Sequence, residues 1–276
     1  MASSERFIIV GNGPSLLRLS HEEKERIQQG PSLSLNHYIQ HYRQAGFTTT
    51  HYGLVDDWEP TRTIFRNLPE LLSRPEWSAV TCLFSPYWAG QVAEAVSPDR
   101  VHLVKDTLGI GHVIKWTLRR RPGFYNYCYH NPIALWNRLQ GRETVFKRKP
   151  QFERIWPREP SDPLVWINGT LVIALSYAYR EGYREVELVG VDLNDGTHFY
   201  SPQEDMVAYD SKRFGRDTLK DHTTVMWGFP RPSPPIQYLL RWIREIYEAD
   251  GRSLTVANES SLLARENILP LKPLLA

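Results

Sequence analysis

Short apolar runs alternate along this chain with polar turns and with longer stretches of helical period. The run "RFIIV" (6–10) enters the turn Gly11-Asn12-Gly13-Pro14-Ser15, and "SHEEKERIQQG" (20–30) follows. There Ser20 and Glu23 have the spacing of a capping box, which predicts a helix start. Further strand-like runs are "SLSLNHY" (32–38), "HYGLVDD" (51–57), "SAVTCLFS" (78–85) and "DRVHLVKD" (99–106). The stretch "NGTLVIALSYAYREG" (168–182) is apolar on most faces, the pattern of a buried helix, and "EVELVGVDL" (185–193) is a strand ending on a carboxylate. In "IQYLLRWIREIYEADG" (236–251) the residues Ile236, Leu239, Leu240, Ile243, Ile246 and Tyr247 form one stripe, an amphipathic helix stopped near Gly251. "SLTVANESSLLA" (253–264) adds a last strand and turn.

Strands alternating with helices predict an α/β fold with a mostly parallel sheet, which binds ligands where the strands' carboxyl ends open into loops. No internal repeat breaks the pattern, so residues 1–276 read as a single domain. The basic, proline-rich stretch 141–163 reads as a surface excursion, and 201–235, mixed in charge, Pro and Gly, as a lid or flexible loop within the domain.

Composition narrows the function classes. A net charge of +2 gives no field for nucleic acid, and two cysteines, Cys82 and Cys128, are too few for a disulfide framework or a zinc site. No apolar run approaches the roughly 20 residues of a membrane span, and the N-terminus lacks a signal peptide's pattern. The expectation is a cytoplasmic protein.

The turn after the first strand carries the first candidate chemistry. Gly11 and Gly13 allow close backbone approach, Pro14 suits a helix start, and Asn12 and Ser15 offer side-chain hydrogen bonds; such turns cradle phosphates through their N–H groups. The third glycine of a dinucleotide fingerprint is absent, and no Gly-Lys-Ser/Thr follows, which excludes a P-loop. A tight structural turn with Ser15 as a cap explains the same residues equally well.

Three stretches in one order carry a resemblance: "GNGPSL", "INGTLVIALSYAYREGYREVELVGVDL" and "SSLLA". The chain resembles the bacterial sialyltransferases of glycosyltransferase family 42, and more remotely the MptE-like proteins, over about residues 6–60, 165–200 and 236–265. The resemblance implies a Rossmann-like variant of the GT-A type with a small lid subdomain, a CMP-activated nonulosonic sugar (sialic acid, Kdo or a relative) as donor, a glycan as acceptor, and no metal or other cofactor. It implies nucleotide or donor contacts at Gly11, Asn12, Gly13, Pro14, Ser15, Asn36, Asp56, Asn168, Gly169, Gly190, Asp192 and Asn194. It also implies Tyr200 on the leaving phosphate and His222 as general base, with His198 as a competitor for that role.

Departures from the family's pattern are specific. Its asparagine near the donor carboxylate is here Asp56 or Asp57, and an ionised Asp there repels a carboxylated sugar unless protonated or turned away. Its second phosphate-binding tyrosine is Asn194, and the arginine before the buried helix is Val165. The basic stretches 118–123 and 146–150 suit an anionic or lipid-linked acceptor or the inner face of a membrane, although a solvated face is the simpler reading. The family precedent also allows a homo-oligomer. The competing readings are an MptE-like, Mg²⁺-dependent pyrophosphokinase and a non-catalytic nucleotide-binding protein.

Overall fold

The computed structural model describes residues 5–56, 59–104, 149–162, 164–165, 169–194, 199 and 235–275. Seven strands, β1 (Arg6–Val10), β2 (Ser32–Leu35), β3 (His51–Leu54), β4 (Thr81–Phe84), β5 (Val101–Leu103), β6 (Glu185–Val189) and β7 (Ser253–Val256), form one sheet in the order β5-β4-β3-β2-β1-β6-β7. Every pairing is parallel. The fold is α/β and Rossmann-like, as the alternation predicts.

Both faces of the sheet are covered, which is why the strands read as near-continuous apolar runs. Along β1, Phe7 and Ile9 enter one core, while Ile8 and Val10 enter the other. The first core is closed by the helices Thr170–Arg180 and Ile236–Ala249, joined by the Tyr247 hydroxyl donating to Leu175 O (2.8 Å). The Ile236–Ala249 helix buries the six residues of its predicted stripe. The second core is closed by the helices Tyr38–Ala45, Leu68–Leu72 and Pro86–Gln91. The Ser20 capping box is formed at the start of the helix His21–Gln29.

Most strands are shorter than the runs read from the sequence, and three differences matter for the site or the core. The second strand ends at Leu35, because Asn36 turns into the left-handed region (φ 52°) and Tyr38 begins a helix. The sixth ends at Val189, where Gly190 (φ 66°) bends the chain back, so Asp192 lies in the following loop. Within 141–163, a helix spans Lys149–Ile155, and Phe152 and Trp156 are buried in the first core; this part of the stretch is not a surface excursion. Of the predicted lid, 201–235, residues 201–234 lie outside the described residues, as do Asp57, Asn168, His198, Tyr200, His222 and Cys128. Among the described residues no helix is long and apolar enough to cross a membrane.

Candidate functional site

Because all seven strands are parallel, their carboxyl ends share one edge. Strand order reverses beside β1: the chain runs outward from β1 to β5, then returns to place β6 on β1's other side. Such a switch point leaves a crevice between loops that depart to opposite faces. The Gly11–Ser15 turn and the Gly190–Asn194 loop follow β1 and β6 at that point. Asn36 follows β2 and Asp56 follows β3.

The first turn is closed by the protein itself. Gly11 N–H donates to Val189 O (2.8 Å) and Gly13 N–H to Gly190 O (2.7 Å). Ser15 donates its N–H to Asp192 Oδ2 (2.9 Å) and its hydroxyl to Asp192 Oδ1 (2.7 Å). Asn258, in the loop after β7, donates Nδ2 to the same Oδ1 (2.7 Å). The Asp192 carboxylate is therefore a buried clasp between three loops. Ser15 does not cap the short 3₁₀ turn Pro14–Arg18; its N-cap is Gly13, with no side-chain bond.

The glycines serve this closure. A Cβ on Gly11 would lie 2.3 Å from Gly190 O, and one on Gly13 would lie 2.3 Å from Asp192 Oδ2. Close loop-to-loop packing, more than an open row of amides, is what the Gly-x-Gly spacing provides here.

Asn12 is placed differently. Its Nδ2 donates to Leu35 O (3.1 Å) at the end of β2, and its main-chain O accepts from Phe199 N–H (2.8 Å). Its Oδ1 is buried and has no hydrogen-bond partner among the described residues. A buried acceptor left unmade is costly, so this atom marks a position where an N–H or O–H donor belongs.

The neighbouring loop is also ordered by polar contacts. Asn36 N–H donates to Gly53 O (2.9 Å), its main-chain O accepts from the Tyr52 hydroxyl (2.7 Å), and its Oδ1 accepts from Thr170 Oγ1 (3.0 Å). Thr170 opens the buried helix, whose N-cap is Gly169 (φ 117°). Gly169 and Asn36 are thus brought to one place. Asn194 donates Nδ2 to Ser260 O (2.9 Å), beside Ser261, whose hydroxyl donates to Val191 O (2.7 Å). Asp56 accepts at its main-chain O from Trp88 Nε1 (2.7 Å), which fixes the loop after β3.

The structure accordingly gathers Gly11, Asn12, Gly13, Pro14, Ser15, Asn36, Gly169, Gly190, Asp192 and Asn194 at the rim, with Asp56 two strands away from β1. Sequence reasoning missed Thr170 and Asn258. The signal for Asn258 was present, since the polar run "ANESS" directly follows a strand. Cys82 is buried in β4, and burial pushes its thiol up to about 12, so it supplies no thiolate near neutral pH. Among the described residues no group of three or more His, Cys, Asp or Glu is placed to hold a metal ion.

No protein-family model matches the chain, and no curated protein matches it. Among solved structures it is similar to the sialyltransferase CstII from Campylobacter jejuni in complex with a substrate analogue, cytidine-5'-monophosphate. There the identity is 16% and the TM-score 0.46, over 100% of this chain and 88% of that one. It is also similar to the sialyltransferase CST-II in complex with trisaccharide acceptor and CMP, at 15% identity and a TM-score of 0.47, over 98% of this chain and 87% of that one.

Proposed function

We propose that this chain is a glycosyltransferase that moves a nonulosonic sugar from a CMP-activated donor to a glycan acceptor, without a metal ion. One observation carries the reading. Four loops remote in sequence converge at the β1/β6 switch point around Asn12, whose buried Oδ1 has no donor among the described residues. These loops bear the residues on which the family 42 resemblance rests.

Because the amides of Gly11, Gly13 and Ser15 are already bonded within the protein, the turn in this reading seats the base and ribose. The leaving phosphate then falls to Tyr200, whose phenolic O–H stabilises the charge that builds as the sugar–phosphate bond breaks. His222, as a neutral imidazole, takes the proton from the acceptor hydroxyl as its oxygen bonds to the anomeric carbon, and CMP departs. The 201–235 segment closes over the donor and keeps water out.

Calorimetric titration with CMP and with UDP tests the premise: CMP binds more tightly than UDP, and no CMP binding at millimolar concentration overturns the assignment. Replacing the base, His222→Ala, lowers the transfer rate by about 10²–10⁴-fold while CMP affinity is kept. A parallel loss of CMP binding would remove His222 from the base role.

A further inference from the structure

The same rim holds a second group of polar side chains, farther from the switch point. The helix Glu59–Ile64 follows β3, and the helix Pro86–Gln91 follows β4. Arg62, on the first, lays its guanidinium over the Tyr87 ring of the second, 3.9 Å from the centroid. Among the described residues, Arg62 Nε is buried without a hydrogen-bond partner and Arg62 forms no ion pair. Two residues before Tyr87 in the chain, Ser85 is only 3% exposed, and its hydroxyl also lacks a partner among the described residues.

This group is held rigidly against the site already described. Gln40 Nε2 donates to Ile64 O (2.9 Å), and the ring of His37, next to Asn36, packs on Phe65 (4.8 Å between centroids). Phe65 in turn meets Trp88 edge-on, and Trp88 is tied to Asp56 O. The chain of contacts thus runs from Asn36 to the Arg62–Tyr87 stack along one edge of the sheet.

A half-buried guanidinium that is stacked on an aromatic face and, among the described residues, not neutralised is a prepared anion receptor. Its charge is partly desolvated and its plane is fixed, so little order is lost when an anion docks. One guanidinium balances a singly charged carboxylate better than a doubly charged phosphate. The position also suits a sugar: β3 and β4 lie two to three strand spacings from β1, roughly 10 to 15 Å along the rim. A sugar attached to a nucleotide seated at the switch point spans that distance.

We infer that Arg62, stacked on Tyr87, receives the carboxylate of an acidic sugar and selects charged over neutral sugars at this site. The inference rests on the transferase reading for the sugar's placement. It also offers the donor's carboxylate a positive partner where the resemblance led us to expect an asparagine near Asp56 and an arginine at Val165.

The full-length chain and its Arg62→Met variant, which keeps a long apolar stem on Tyr87, are titrated calorimetrically with three probes: CMP, CMP-N-acetylneuraminate, and sialyllactose in the presence of CMP. Thermal unfolding checks that the variant is folded, and Arg62→Lys, which keeps the charge, serves as a second variant. The expected result is that Arg62→Met binds one carboxylated probe about tenfold more weakly or worse, with CMP affinity held within about twofold, and that Arg62→Lys recovers part of the loss. A loss confined to CMP-N-acetylneuraminate assigns the carboxylate to the donor; one confined to sialyllactose assigns it to the acceptor. Equal affinities of wild type and Arg62→Met for both carboxylated probes overturn the inference, as does a wild type that binds CMP but neither of them. A wild type that fails to bind CMP overturns the transferase reading instead, and an Arg62-dependent affinity for sialyllactose would still stand.

Discussion

A methyl group on Gly13 would sit 2.3 Å from Asp192 Oδ2 and 2.8 Å from Gly190 O, and neither neighbour is the free end of a flexible chain. The carboxylate is held by Ser15 and Asn258, and the carbonyl belongs to the backbone. Gly13→Ala therefore forces the clasp apart. It lowers stability by about 1–3 kcal/mol, read as a shift in the urea unfolding midpoint, and under the proposed function it also weakens CMP binding by moving Asn12. At this scale the sequence was partly legible. Two glycines before Pro14 announced close approach, but not to what. Only the fold shows that the nearby surface is the protein's own β6 loop, because that contact joins residues about 180 positions apart. The same is true of Asp192: its place after a strand was readable, whereas its three protein donors come from two distant loops.

At the scale of elements, all seven strands were readable because short apolar or alternating runs are punctuated by turn residues. The short helices were not. Glu59–Ile64, Leu68–Leu72 and Pro86–Gln91 have five or six residues each, too few to display a 3.6-residue period, and each has a proline near its start. Lys149–Ile155 was hidden for another reason: its charges dominate the composition, while one aromatic inside it and one just beyond it make the contact. Phe152 lies against Trp156 (5.4 Å between centroids) and Trp242 (5.9 Å) and is fully buried. Phe152→Ala should thus cost about 3–5 kcal/mol, a core penalty that a surface excursion would not show, measurable by chemical denaturation.

At the scale of the whole molecule, the amino-terminal edge of the sheet carries a cluster that couples stability to pH. His51 packs edge-on to Phe7 (5.4 Å) and near Tyr177 (5.7 Å), and its Nδ1 contacts Thr50 Oγ1 (2.9 Å). Burial lowers its pKa from 6.5 to about 4, and the nearby His102 pushes the same way. Between those values the unfolded chain binds the proton more readily than the native one, so stability is full above about pH 6.5 and falls as the pH drops toward 4. One imidazole accounts for up to about 3 kcal/mol across that window. Unfolding midpoints taken at pH 7.5 and pH 4.5 should differ less in His51→Gln than in the parent by about that amount.

The sheet order has a further consequence for how the polypeptide is made. β1 is a central strand, apolar on both faces, yet its β6 neighbour is encoded about 180 residues later. At ribosomal speeds of about 5–20 residues per second, the unpaired side of β1 waits roughly 10 to 35 seconds for its partner. Throughout synthesis it presents open N–H and C=O groups between hydrophobic surfaces, a template for adhesion between nascent chains. Shielding that seam during synthesis, for instance with added trigger-type chaperones, should therefore raise the soluble yield more than stabilising the finished fold does.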